Sequence, residues 1–188
     1  MKQITFVTGN SRKFEEASSV LRQYGVTVEQ LQLGIDEIQH HDPLEITKAK
    51  ARAAYQKVGR PVVVNDTSWE IPALNGFPGG YMKDVCQWFS TEDFLALMRD
   101  KPDKTIIAND VVAYYDGKNL QVFTSEQPGY FIDQPRGKDE YSHHSVIVMS
   151  GNDGRTIAEV FNARTNGEAV KADNYDHWQK FGEWLAAQ

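Results

Sequence analysis

Hydrophobic and polar positions recur along this chain with two periods, one of strands and one of helices. Ile4-Thr5-Phe6-Val7 is a short β-branched and aromatic run that ends at Thr8-Gly9-Asn10, the pattern of a strand entering a turn. Phe14, Ala17, Leu21 and Tyr24 then recur at helical spacing, with Ser11 placed to cap the helix and Gly25 to end it. Val26 to Leu31 reads as a second strand, so the chain opens with strand, loop, helix, strand, an α/β unit. The stretch from Gly34 to Pro43 is acidic and irregular, and a helical pattern rich in Ala, Lys and Arg runs from Glu45 to Val58, where Gly59-Arg60-Pro61 breaks it. Val62-Val63-Val64 is a continuous apolar run of the buried-strand type, ending at Asn65-Asp66-Thr67-Ser68 as a turn.

The second half is read in the same way. Leu74 to Tyr81 is dense in turn formers, and two helices follow, Met82 to Phe89 and Phe94 to Met98, the latter capped by Ser90 or Thr91. Thr105 to Tyr115 and Leu120 to Thr124 are strands around the hairpin turn Asp116-Gly117-Lys118-Asn119. Val146 to Met149 and Thr156 to Phe161 repeat that pattern around Gly151-Asn152-Asp153-Gly154, and a final helix runs from about Tyr175 to Ala187 with Trp178, Phe181, Trp184 and Leu185 on its apolar side. Core is the expected place for that face. No repeat, low-complexity tract or long linker interrupts the chain.

Composition narrows the function classes. A chain of 188 residues buries about 70% of the surface its unfolded form exposes, so it needs no staple to fold. The formal charge of −6 argues against non-specific binding to nucleic acid or to an anionic membrane, while leaving room for a local basic pocket. The lone cysteine, Cys86, excludes an intramolecular disulfide and fits a reducing compartment. The opening MKQITFVTGN has too short an apolar run for a secretory signal, and no run approaches the ~20 residues of a spanning helix. The cytoplasm is the expected location.

Three segments can carry chemistry. Thr8-Gly9-Asn10-Ser11-Arg12-Lys13 follows a strand and opens a helix, where free amides and the positive end of the helix dipole attract phosphate. Gly9 lets a ligand approach the backbone, Thr8, Asn10 and Ser11 offer hydrogen bonds, and Arg12 and Lys13 offer charge. It is not a Walker A loop, and on spacing alone an ordinary strand-to-helix turn reads as well. Lys50 lies within the apolar stripe of Ile46, Ala49, Ala53 and Ala54, so it must snorkel or meet an anion. Asp66, just past a buried strand, stands where open α/β sheets place ligands and suits Mg²⁺ coordination or proton acceptance from water, or else a turn cap. Asp36, Glu37, Asp42 and Glu45 form a loose acidic group whose oxygens suit a hard cation, while each member taken singly reads better as part of a solvated acidic loop. The pairs His40-His41 and His143-His144 lack metal-site spacing and read as polar loop or strand residues, and Cys86 reads as a packed thiol.

Taken together, the segments resemble the inosine triphosphate pyrophosphatase family, the non-canonical purine nucleoside triphosphate pyrophosphatases. Thr8-Gly9-Asn10-Ser11-Arg12-Lys13-Phe14-Glu15-Glu16 is similar to its T-G-N-x-x-K-x-x-E phosphate loop. Glu45 to Ala51 resembles its helix with a buried lysine, Asn65-Asp66-Thr67-Ser68 its catalytic-aspartate turn, and Ala73 to Tyr81 its A-L-x-G-x-P-G-x-Y segment. The blocks stand in family order over the first half of the chain. The second half departs. After Pro135-Arg136-Gly137, the F-G-[YW]-D-P motif is replaced by Tyr141-Ser142-His143-His144-Ser145, with His144 where the family has aspartate. Ala158-Glu159 resembles a later A-E pair, and in place of the S-H-R motif only Asp176-His177-Trp178 stands nearby.

The resemblance implies a Mg²⁺-dependent hydrolase, with Mn²⁺ as a stand-in, that cuts nucleoside triphosphates such as ITP, XTP or dITP to monophosphate and diphosphate. Thr8, Gly9, Asn10, Ser11, Arg12 and Lys13 would hold the triphosphate, and Thr67 would contact substrate. Lys50 would reach the phosphate chain, and Asp66 would bind the metal and orient or deprotonate water. A glutamate before the Lys50 helix would be the second metal ligand, with Glu37 the nearest match among residues 36–45. Tyr141 would stack on the base, with His144 beside it, and His177 or Lys171 is a further candidate for the base. A homodimer is implied as well. The expected fold is α/β, a single two-lobed domain over residues 1–188 with a long mixed β-sheet flanked by helices and a central cleft. Two other readings stay open: the same reaction on a different nucleotide, and a nucleotide-binding module without turnover.

Overall fold

The computed structural model describes residues 2–168, 170 and 176–188. Its strands are β1 (Lys2–Val7), β2 (Val26–Leu31), β3 (Val62–Glu70), β4 (Pro78–Gly79), β5 (Thr105–Tyr115), β6 (Leu120–Phe131) and β7 (Ile147–Met149). Its α-helices among the described residues are α1 (Ser11–Leu21), α2 (Pro43–Val58), α3 (Met82–Trp88), α4 (Thr91–Met98), α5 (Ile157–Thr165) and α6 (Asp176–Ala186). The strands form one mixed sheet in the order β2-β1-β3-β5-β6-β7, with β4 paired to β3. The α/β class with a mixed sheet and helices is thus as expected. Among the described residues no helix is long and apolar enough to cross a membrane.

The described residues fall into two compact units. The first contains the chain up to Thr67, Asp110–Ser125 and α6; the second contains Ser68–Asn109 and the chain from Glu126 on to α6. In the first unit β1 pairs in parallel with β2 and with β3, the latter with Phe6 opposite Val63. Phe6, Leu21, Trp178 and Phe181 are fully buried there, and Phe6 and Trp178 meet edge to face at 5.0 Å between ring centres. The apolar side of α6 is therefore core. In the second unit Phe94, Met98, Ile106 and Ile147 centre a separate core with Ile71, Met82 and Phe131 packed around it.

Four local expectations are corrected. Asn10 caps α1, not Ser11: its side-chain oxygen accepts the Lys13 amide at 3.2 Å, and Ser11 is the first helical residue. Asn65 to Ser68 is no turn, because β3 continues to Glu70; the Asn65 side-chain amide donates to the Val111 carbonyl at 3.1 Å and ties the polar end of β3 to β5. Thr156 to Phe161 is helix α5, since Thr156 and Glu159 form a reciprocal capping box. His143 and His144 sit in a buried 3-10 turn, Ser142–Ser145, where a polar loop or strand was expected. The start of the last helix was placed at Tyr175, which lies outside the described residues, as does Lys171; the helix runs Asp176–Ala186.

Candidate functional site

The first unit gathers the site at the carboxyl ends of β1 and β3. With Phe6 opposite Val63 in parallel register, the residues after Val7 leave the sheet level with Asn65 and Asp66. The loop there is held by its own side chains: the Asn10 amide donates to Thr8 Oγ1 at 3.1 Å, and Asn10 then caps the amide of Lys13. This starts α1 abruptly at Ser11, with its first-turn amides at the strand end. A β-carbon built on Gly9 would meet no heavy atom within 4 Å, so packing does not demand glycine at this position.

Lys50 is the hub. It projects from α2 with only 16% of its side chain exposed. Its ammonium lies 2.6 Å from Glu37 Oε1 and 4.0 Å from Asp66 Oδ2, so the buried lysine meets anions and does not snorkel. Glu37 reaches it because residues 32–42 run along α2, fastened further on by Lys57 Nζ donating to the Gly34 carbonyl at 2.5 Å. The rest of the acidic group has other work: Asp42 caps α2 through the Leu44 amide, Glu45 pairs with Lys48 at 2.7 Å, and Asp36 is exposed. No cluster of three His, Cys, Asp or Glu side chains suited to a metal exists among the described residues.

Lys13 is half-buried on α1, and among the described residues no carboxylate stands within 4 Å of its ammonium. Burial pulls its pKa below the ordinary lysine value, and the negative charges of Asp66 and Asp110 oppose that shift. Asp110, in the middle of β5, escaped the reading of the sequence. Its Oδ1 accepts the Thr67 hydroxyl at 2.6 Å. The signal was available: Asn109-Asp110 interrupts an apolar strand, and a half-buried carboxylate in such a place needs a partner. His177, also in this unit, is buried with its Nδ1 2.7 Å from Ser125 Oγ; burial lowers its pKa, again opposed by Asp110.

Tyr141 and His144 belong to the second unit. His144 Nδ1 lies 2.5 Å from Asp139 Oδ2. The Tyr141 ring tilts over His144 with 5.1 Å between centres. Cys86 is half-buried and packed against the second core, as expected of a thiol without a catalytic part, and it also has an imidazole partner: its sulfur lies 2.9 Å from His143 Nδ1. Burial raises the thiol pKa and drives that of His143 well down, so both shifts favour the neutral forms of the pair.

Of the residues singled out in the sequence, Glu37, Lys50 and Asp66 are joined directly, Lys13 is coupled to Asp66 and Lys50 by charge, and Thr8 to Lys13 form one structured turn beside them. The chain is 33% identical over 159 residues to the dITP/XTP pyrophosphatase of Methanopyrus kandleri, covering 84% of each chain. It is 31% identical over 188 residues to the dITP/XTP pyrophosphatase of Thermococcus kodakarensis, covering 97% of each. Its fold is similar to that of a HAM1 protein from Coxiella burnetii, with a TM-score of 0.78, 20% identity and full coverage of both chains. The sequence pattern of the Ham1 family matches residues 4–172, a span that holds the phosphate-type loop, Glu37, Lys50, Asp66 and Tyr141, and the chain therefore belongs to the Ham1 family.

Proposed function

We propose that this protein hydrolyses non-canonical purine nucleoside triphosphates, such as ITP, XTP and dITP, to monophosphate and diphosphate, and so clears them from the nucleotide pool. The observation that carries the reading is Lys50 held between Glu37 and Asp66 at the carboxyl end of β3, beside the N-terminus of α1. The names of the relatives, dITP/XTP pyrophosphatases, support it.

The chemistry follows from charge. A nucleoside triphosphate carries about four negative charges, and its hydrolysis needs neutralisation and in-line geometry more than covalent help. The α1 amides and the Thr8-Gly9-Asn10 turn receive phosphate oxygens, and the open space at Gly9 admits them close to the backbone. Lys13 and Lys50 supply mobile positive charge on two sides of Asp66. A Lys50 released from Glu37 by the arriving polyanion exchanges a carboxylate for a phosphate and remains charge-paired throughout. Asp66 accepts the proton of the attacking water, which adds at the α-phosphorus as diphosphate leaves.

The donor set suits Mg²⁺, or Mn²⁺ in its place. Glu37 and Asp66 are hard oxygen donors, and Mg²⁺ is commonly held by one or two carboxylates together with substrate phosphates, so two carboxylates with no third ligand among the described residues fit it. When bound, the cation would neutralise phosphate charge that Lys13 and Lys50 leave uncovered.

The test is a panel of common and deaminated nucleoside triphosphates with detection of diphosphate, run on the wild type and on Asp66→Asn. Diphosphate from purine substrates is expected, with turnover several powers of ten lower in the variant, about the range spanned by losing a general base and a metal ligand together. Equal rates on every nucleotide would contradict a selective pocket at Tyr141 and His144. Nucleotide binding without any diphosphate would make the chain a binding module.

A further inference from the structure

One charged side chain at this site has no part in the reaction just described. Asp110 stands half-buried in β5, and its Oδ1 accepts a hydrogen bond from the Thr67 hydroxyl at 2.6 Å, a charge-assisted bond. Thr67 is held at its other end too: its backbone N–H donates to Asp66 Oδ1 at 3.0 Å. One threonine thus donates to both carboxylates, through its hydroxyl to Asp110 and through its backbone amide to the carboxylate assigned to the water.

A hydroxyl has one proton and two lone pairs, and an ionised carboxylate only accepts. With its proton given to Asp110, Thr67 Oγ1 offers lone pairs alone to any further partner. It is then a poor contact for a phosphate oxygen, which also only accepts, and a good one for the O–H of a water. The other oxygen of Asp66, Oδ2, is the one that faces the Lys50 ammonium, at 4.0 Å, so the two carboxylate oxygens have different neighbours. A purely architectural role for the Thr67–Asp110 bond is already filled, since Asn65 ties the same strands together through the Val111 carbonyl.

We propose that Asp110 is a positioning residue that acts through Thr67: it fixes the polarity of the Thr67 hydroxyl, so that this oxygen accepts a hydrogen bond from the attacking water while Asp66 takes the water's proton. This rests on the hydrolysis proposed above. It departs from the expectation that Thr67 binds the substrate itself. Asp110 also opposes the loss of charge on half-buried Lys13, which places its carboxylate in the field of the same site.

The test is a double-mutant cycle on kcat and KM with Asp110→Asn, Thr67→Val and the two combined, and Thr67→Ser as the conservative variant. Asparagine keeps the shape but can turn its amide toward Thr67 and reverse the bond. Each single change is expected to lower kcat about tenfold, the loss of one hydrogen bond to a charged group, with KM within about twofold of wild type. The double variant should fall no further than the weaker single one, because both act on one hydroxyl, and Thr67→Ser should keep nearly full kcat. Additive losses, or a rise in KM with kcat unchanged, overturn the proposal; the latter would put Thr67 on the phosphates. A lower melting midpoint with unaltered kcat also overturns it, as the bond would be structural. Should Asp110→Asn fail to fold, the contrast of Thr67→Val with Thr67→Ser reads the same hydroxyl, and equal rates there refute it. A wild type that releases no diphosphate overturns the nucleotide reading itself, and this proposal with it, whereas an active wild type with unaffected variants overturns this proposal alone.

Discussion

Replacing Lys50 with methionine keeps the length of the side chain and removes its charge, and the structure sets two effects of different size. In the folded protein the ammonium contacts Glu37 at 2.6 Å, but that carboxylate is about half exposed, and such pairs contribute about 0–1 kcal/mol. Asp66 lies at 4.0 Å, where unit charges interact by about 1 kcal/mol in water and about 4 kcal/mol at an effective dielectric of 20. Water reaches both carboxylates, which draws the sum toward about 1 kcal/mol. For a chain of this size that lowers the melting midpoint by about 2–4 °C. In the reaction the same ammonium would face the phosphates, and one or two charge-assisted bonds of about 1.5–3 kcal/mol each convert to a fall of roughly tenfold to ten-thousandfold in kcat/KM. Diphosphate release from ITP, followed through a coupled pyrophosphatase, measures the second effect, and a thermal melt measures the first. A variant that melts near wild type and retains activity within about threefold would show that Lys50 serves only to neutralise Glu37 and Asp66, and the reasoning from its position would fall.

Glu37→Gln should raise the Mg²⁺ concentration for half-maximal activity about tenfold or more, since it removes one of two carboxylates; an unchanged metal titration would assign Glu37 to Lys50 alone. His143 gives a pH dependence of stability. Burial first, then the neighbouring His144, hold its folded pKa well below the ordinary histidine value, so below that ordinary value the unfolded chain binds a proton the folded chain refuses. Stability is therefore complete above the ordinary histidine range and is lost as pH falls through it, with His177 adding in the same direction. The melting midpoint should drop between about pH 7.5 and about pH 5.5, and the drop should shrink in His143→Gln; a flat profile in the wild type would contradict it. Trp178→Ala, which empties a fully buried site against Phe6 and Phe181, should cost about 3–5 kcal/mol and about 10 °C of melting midpoint, read by calorimetry; a loss under about 1 kcal/mol would mean that α6 does not close the first core.

Most strands and helices were legible in the order of residues because their signals are local. The Val62-Val63-Val64 run, the Asp116 to Asn119 turn and the apolar stripe of α6 each lie within a few neighbours of one another. Misreadings arose where two local signals competed. Asn65 to Ser68 has turn chemistry, yet a partner on β5 for the Asn65 amide keeps it in the strand. Gly151 to Gly154 has hairpin chemistry, yet the Thr156–Glu159 box just beyond it starts a helix.

The site divides along the same line. The turn from Thr8 to Lys13 is a local object, built by Thr8 and Asn10 bonding to amides two and three residues on, so its residues could be picked out in order along the chain. The sequence by itself required only that Lys50, set in an apolar stripe, either snorkel to water or meet an anion, and the structure decided for the anion. Which anion it meets depended on the path of residues 32–42 along α2 and on the parallel register of β1 with β3, both fixed by long-range packing, and those place Glu37 and Asp66 at one ammonium. The partner of Asp110 belongs wholly to the tertiary structure, although Asn109-Asp110 marks a polar break in an apolar strand. Its bond to Thr67 spans neighbouring strands of the sheet, and no pattern within β5 names the hydroxyl it would find across the ladder. Short-range hydrogen bonds are encoded by adjacent residues; the pairing of distant charges is decided only when strands choose their register and the core closes around them.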